Sequence, residues 1–196
     1  IMIIKIKSDR IITPDGVVSG YVGIENGKIL CLTAENFPAD ICHDFSGKYV
    51  SPGFIDLHTH GAGGHAFLDS SVEDVLLGCE YHLRHGTTSI LPTVSAAPFQ
   101  RMRQAVINIH EAKHSGKSAS HIIGAHLEGP FLSMAEKGAQ NADYLKEPDF
   151  EGFQKLYEGC GGLVRIVDVA PELPGAAEFV EKASKLCTVS IAHTDS

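Results

Sequence analysis

Apolar residues recur along this chain in two rhythms, and the rhythm changes near residue 50. Before that point the apolar runs are short and closely spaced: "IMIIKI", "RIIT" and "YVGIENGKILCL". Asn26-Gly27 interrupts the last of them, and because a two-residue hairpin loop needs positive φ at both positions, this dipeptide predicts a β-hairpin. From Val50 onward, apolar stretches of strand length alternate with segments whose apolar residues repeat at i, i+3, i+4 and i+7. "GFIDLHTH", "TTSILPTV", "HIIGAHLEG", "LVRIVDVAP" and "TVSIAHT" read as strands. Four helices are predicted between them. The first follows Ser71, with Asp74 three positions on to complete a reciprocal cap, and ends near Gly86. The second carries Pro98 in its first turn, sets Met102, Ala105, Val106 and Ile109 on one face, and stops by Gly116. Phe153, Leu156 and Tyr157 mark the third, and Phe179, Val180, Ala183 and Leu186 the fourth.

Strands alternating with helices imply βα units around a parallel sheet, an α/β fold. The expected division is a small β portion over 1–50 and the α/β portion over 51–196. Two architectures fit the rhythm, a doubly wound open sheet and part of an eight-stranded barrel. In both, ligands collect at the carboxyl ends of the strands.

That rule singles out four residues. His58 and His60 close the first strand of the α/β portion, and residues two apart in a strand share a face, so both imidazoles can converge on one ion. Glu128 ends the third strand ("HLEGP") and His193 the fifth ("IAHTD"). Neutral nitrogens and a carboxylate delivered from three strands to one rim suit zinc or another divalent first-row metal. His82, His85, His110 and His114 fall on helices and read as exposed or paired with helix C-termini. His126 shares a face with Glu128 and reads as a supporting or space-filling residue. The segment "EGPFLSMAEKGAQNADYLKEP" is too long for an ordinary βα connection, so it is expected to cover substrate, with Lys137, Gln140 and Asn141 offering polar contacts.

The bulk properties narrow the partners. A formal net charge of -8 over 196 residues, with no basic run, argues against nucleic acid or an anionic membrane and for a small molecule. Five scattered cysteines, never in a C-x-x-C spacing, read as buried free thiols in a reducing cytoplasm. No apolar stretch approaches the ~18 residues needed to span a bilayer. The sequence opens with Ile1 before Met2 and stops at "VSIAHTDS", so both ends are expected to be cut ends.

"SPGFIDLHTHG" resembles the first barrel strand of the amidohydrolase superfamily. "GAHLEGPFLSMAEKGAQN", "VRIVDVAPE" and "SIAHTDS" are similar to the deacetylases of N-acetylglucosamine 6-phosphate within it. The resemblance implies a metal-dependent (β/α)8-type TIM barrel, of which this chain carries about the first five strands, plus part of a small N-terminal β-sandwich. It implies removal of acetate from an amino sugar phosphate, one or two metal ions, zinc first and iron or another first-row metal as alternatives, and a homodimer in the complete protein. By position, His58, His60, Glu128 and His193 match the metal ligands, and Ala139 with Gln140 match a substrate-contacting pair. Gln140 stands where other members carry histidine. "VRIVDVAPE" has no lysine of the kind that bridges two metals in dihydroorotase-like relatives, so Glu128 must supply the carboxylate. The aspartate that acts as general base is expected beyond Ser196, which leaves this portion inactive alone. The alternatives are another amidohydrolase acting on a cyclic amide, and a non-catalytic truncated product.

Overall fold

The structure, a computed structural model, describes residues 2–196. It separates into two compact units, one ending at Pro52 and the other beginning at Gly53.

The first unit is a five-stranded sheet of β1 (Ile3–Thr13), β2 (Gly16–Glu25), β3 (Lys28–Thr33), β4 (Ile41–Asp44) and β5 (Tyr49–Val50). Its order is β3-β2-β1-β4, with β5 also paired to β1. Asn26 and Gly27 form the predicted turn between β2 and β3, with φ of 51° and 73°. Of the two apolar runs expected as separate strands, Ile1 lies outside the described residues, while Ile3–Ile6 of "IMIIKI" and Arg10–Thr13 of "RIIT" lie in the single strand β1. Its register shifts between Ser8 and Ile11. The Ser8 hydroxyl makes that continuity possible, accepting from the Arg10 N–H at 2.9 Å and donating to the Lys48 carbonyl at 2.7 Å where the ladder is irregular.

The second unit runs β6 (Phe54–Thr59), β7 (Gly61–Ala62), β8 (His65–Ala66), α1 (Val72–Arg84), β9 (Thr87–Ser95), α2 (Phe99–His114), β10 (His121–Ile122), β11 (Ala125–Phe131), α3 (Phe150–Gly159), β12 (Val164–Val169), α4 (Ala176–Ala183) and β13 (Thr188–Ile191). β6, β9, β10, β11, β12 and β13 make one parallel sheet, with β6 and β13 outermost. β10 and β11 both pair with β9 and serve as one interrupted strand, so the sheet has five staves with one helix in each connection. This is a partial TIM barrel, fed in the sequential order that right-handed βα units impose.

All seven residues of β11 are buried, as expected of a central parallel strand covered on both faces. Leu127 and Phe131 join Ile90, Val94, Met102, Val106, Phe153 and Phe179 in the core between sheet and helices. Phe179 meets Phe131 with ring centroids 4.6 Å apart and Phe153 at 5.5 Å. Ser71 and Asp74 form the full reciprocal cap of α1. Pro98 precedes α2 as its cap position, one place earlier than expected, with φ of -53° already set for helix entry.

The cysteines correct one expectation. Cys79 and Cys160 are buried, Cys31 and Cys187 are half-buried, but Cys42 is exposed, because β4 lies at the edge of its sheet with all four residues open. Burial pushes the Cys79 thiol up to about 12 and those of Cys160 and Cys187 to about 11. Among the described residues, no helix is long and apolar enough to cross a membrane.

Candidate metal centre

Three staves bring the four predicted ligands to one mouth of the sheet. His58 lies in β6 and His60 just past it, Glu128 lies within β11, and His193 follows β13 by two residues. The Glu128 carboxylate is the hub and is 6% exposed. Its Oε1 stands 3.3 Å from His58 Nε2 and 3.1 Å from His193 Nε2, and its Oε2 stands 3.0 Å from His60 Nε2. The two Nε2 atoms of His58 and His60 are 3.3 Å apart.

Local backbone geometry aims these groups. His193 adopts φ of 48°, an uncommon left-handed conformation for a residue other than glycine. That kink turns the ring back from the end of β13 toward Glu128. The Glu136 carbonyl accepts from His193 Nδ1 at 2.7 Å, which puts the proton on Nδ1 and leaves the Nε2 lone pair facing the hub. Ser95 Oγ lies 3.0 Å from His60 Nδ1 and holds the second ring by that nitrogen, leaving its Nε2 toward the hub. Burial drives the Glu128 carboxyl up, but hydrogen bonds from His60 and His193 and the charges of His60 and His58 outweigh it and hold it at about 2. Burial also works against a charged His193, yet the Glu136 carbonyl and the Glu128 carboxylate prevail and raise its pKa.

The donor set fits a divalent metal. Ligand atoms ~2.0–2.2 Å from a tetrahedral ion stand roughly 3.3–3.6 Å apart, close to the spacings found here. Unprotonated ring nitrogens crowded this near one another repel unless a proton or a cation lies between them. His58, His60 and Glu128 all offer donor atoms within 4.8 Å of one another.

A second set of donors lies behind the first. His58, His126 and Asp168 also bring donor atoms within 4.8 Å of one another. His126 is 4% exposed and Asp168 1%. His126 Nε2 is 3.0 Å from Asp168 Oδ1, its Nδ1 is 2.9 Å from the Leu57 carbonyl, and its ring meets the His58 ring edge-on at 4.9 Å. Burial alone would lower the His126 pKa, but Asp168 raises it.

The cavity at this mouth holds about 490 Å³ and is lined by His60, Ser95, Glu128, Ala139, Gln140 and His193, among others. Ala139 and Gln140 thus sit together in the wall. Lys137 Nζ turns onto the Gly138 carbonyl at 3.2 Å. His82 departs from the sequence reading: its Nε2 is 3.0 Å from Thr59 Oγ1, between His58 and His60, because α1 packs against β7, β8 and β9 and brings this position to the end of the first stave. His85 and His114 are exposed as expected, each with Nδ1 2.8 Å from the carbonyl four residues earlier in its own helix. Sequence reasoning missed Ser95 and Asp168, although the strand-end rule that found Glu128 also covers both.

Residues 49–190 match the amidohydrolase family, and residues 5–40 match the composite domain of allantoinase. The N-acetylglucosamine-6-phosphate deacetylase of Bacillus subtilis is 33% identical over 198 residues, which cover 97% of this chain and 50% of that protein. The Bos taurus enzyme of the same name is 31% identical over 202 residues, with 98% and 49% covered. Among solved structures, a mutant N-acetyl-D-glucosamine-6-phosphate deacetylase from Mycobacterium smegmatis, in complex with N-acetyl-D-glucosamine-6-phosphate, superposes with a TM-score of 0.90 at 25% identity, covering 100% of this chain and 51% of that one. The Pasteurella multocida deacetylase gives 0.86 at 28%, covering 99% and 52%. The chain spans about half the length of the curated relatives it matches. With the family match running through every stave of the parallel sheet, the chain belongs to the amidohydrolase family.

Proposed function

We propose that this chain carries the metal-binding portion of a deacetylase that hydrolyses N-acetylglucosamine 6-phosphate to glucosamine 6-phosphate and acetate. One observation carries the reading: three imidazole nitrogens from two staves converge on the buried carboxylate of a third, at the mouth where a parallel sheet gathers its ligands. The similarity to deacetylases along nearly the whole chain supports the substrate.

His58, His60, Glu128 and His193 would hold the metal. Zinc fits the nitrogen-rich set, with iron or another first-row metal as the alternative. Such an ion supplies Lewis acidity toward a bound water and an amide carbonyl. The chain's own residues do the rest of what is assigned here. Glu128 stays anionic at neutral pH, and the Glu136 carbonyl and Ser95 hydroxyl hold the His193 and His60 rings with Nε2 facing inward. Ala139 and Gln140 form the wall against which the acetamide would rest. The proton-transferring aspartate is not assigned to any residue of this chain. The same reading expects a homodimer in the cytoplasm.

The test measures metal content and acetate release together. Stoichiometric metal in the wild type, lost in Glu128→Ala, with acetate released from the sugar phosphate by the complete protein, is the expected result. A wild type that takes up no metal, or one that opens cyclic amides and leaves the sugar phosphate intact, would overturn it.

A further inference from the structure

We propose that Gln140 is a positioning residue for Glu128, a buried amide that fixes one carboxylate oxygen and ties the covering loop to the sheet. The inference rests on the metal-centre reading above. Gln140 is 8% exposed, and both ends of its amide are engaged within the protein. Its Oε1 accepts the Ala96 N–H at 3.0 Å, and its Nε2 donates to Glu128 Oε2. The partners decide which end is oxygen, because a backbone N–H only donates and a carboxylate only accepts. Ser95, the residue before Ala96, is the partner of Glu128 across β9 and β11, so the amide clamps the ends of two neighbouring staves.

The oxygens of Glu128 are divided with nothing left over. Oε1 faces His58 and His193, while Oε2 faces His60 and Gln140. Each oxygen offers two lone pairs, so Gln140 holds one on Oε2 and leaves the other toward His60. Without that donor the carboxyl group can rotate, and a buried oxygen loses the amide N–H that holds it. The same loop also fixes His193, through the Glu136 carbonyl on Nδ1 and the Ser133 N–H on the His193 carbonyl at 3.0 Å. One segment therefore orients two of the four ligands. An amide that served substrate alone would keep its polar ends open to the cavity, whereas here its oxygen and at least one N–H are already used. Losing it should weaken metal binding itself.

The test pairs Gln140→Met, which keeps the side-chain length and removes both hydrogen bonds, with Asn141→Ala. Asn141 Oδ1 accepts the Asp143 N–H at 3.0 Å, so its removal loosens the same loop while Glu128 keeps its donor. Co2+ is titrated into the metal-free full chain against a chelator, with its visible absorption as the second readout. Gln140→Met is expected to bind 10–100-fold more weakly with an altered spectrum, and Asn141→Ala to match the wild type. Equal weakening in both variants would assign the effect to loop order and overturn the inference. Unchanged affinity and spectrum in Gln140→Met would overturn it too. If Gln140→Met does not fold, Gln140→His decides: it keeps a ring N–H for Glu128, so wild-type affinity supports the inference and a 10–100-fold loss overturns it. A wild type that binds no Co2+ takes the metal-centre reading down, and this inference with it.

Discussion

Glu128 organises the mouth of the sheet because three rings and one amide meet on its two oxygens. Glu128→Ala would leave ring nitrogens facing a small hole, and metal retained after dialysis is expected to fall from stoichiometric to background by elemental analysis. Ser95→Ala is milder, since it removes only the hydroxyl beside His60 Nδ1. A 10–100-fold loss of metal affinity is expected there, read by chelator competition, and an unchanged affinity would deny Ser95 its orienting role. That His58, His60, Glu128 and His193 meet at one mouth was legible in the sequence, because strand periodicity states both the face and the end of a strand where a side chain falls. Their supports were not. Asp168 reaches His126 across 42 positions and Gln140 reaches Ala96 across 44, and linear order does not say which staves become neighbours. His82 read as a surface helix residue because nothing before folding reveals that α1 lays that position against Thr59.

Helix α1 shows how far local chemistry carries. Ser71 accepts the Asp74 N–H at 3.2 Å and Asp74 accepts the Ser71 N–H at 3.0 Å, so two otherwise free amides of the first turn are satisfied. Ser71→Ala is expected to cost about 1 kcal/mol of stability in denaturant unfolding. The Ser71 hydroxyl first, then its backbone N–H and His65, hold the Asp74 carboxyl down at about 2. A lowered carboxylate pKa stabilises the folded state above the unfolded value and withdraws that support as pH falls through the folded one. The carboxylate's share of the cap is therefore full above about pH 4 and disappears toward pH 2. Asp74→Asn should flatten that part of an acid titration followed by circular dichroism, and an unaltered curve would show that the cap carries no pH dependence. Caps, the Asn26-Gly27 turn and the alternation of staves with helices are short-range signals, which is why they could be read. The continuity of β1 could not, because it depends on Ser8 meeting the Lys48 carbonyl 40 positions away.

The second unit has an aromatic cluster within its aliphatic core and is left open at two edges. Phe179 touches Phe131 and Phe153, so Phe179→Ala is expected to lower the unfolding free energy by about 3–5 kcal/mol. β6 and β13 are the outermost strands, where Phe54 is 71% exposed, Ile55 64% and Ile191 67%. Open parallel edges bearing apolar side chains invite pairing with other chains. Concentration-dependent sedimentation is the expected outcome for this chain, reduced by Ile55→Lys, and a monodisperse monomer at every concentration would contradict it. The pairing of Ser95 with Glu128 across β9 and β11 also has a genetic consequence. Side chains alternate along a strand, so losing one codon within 125–127 would turn the carboxylate to the opposite face while the ladder re-formed around the gap. A codon lost from the turn at 116–118 would shorten only a connection. Deletion tolerance along the gene should therefore fall sharply at β9 and β11, tracing the ruler against which the mouth of the sheet is measured.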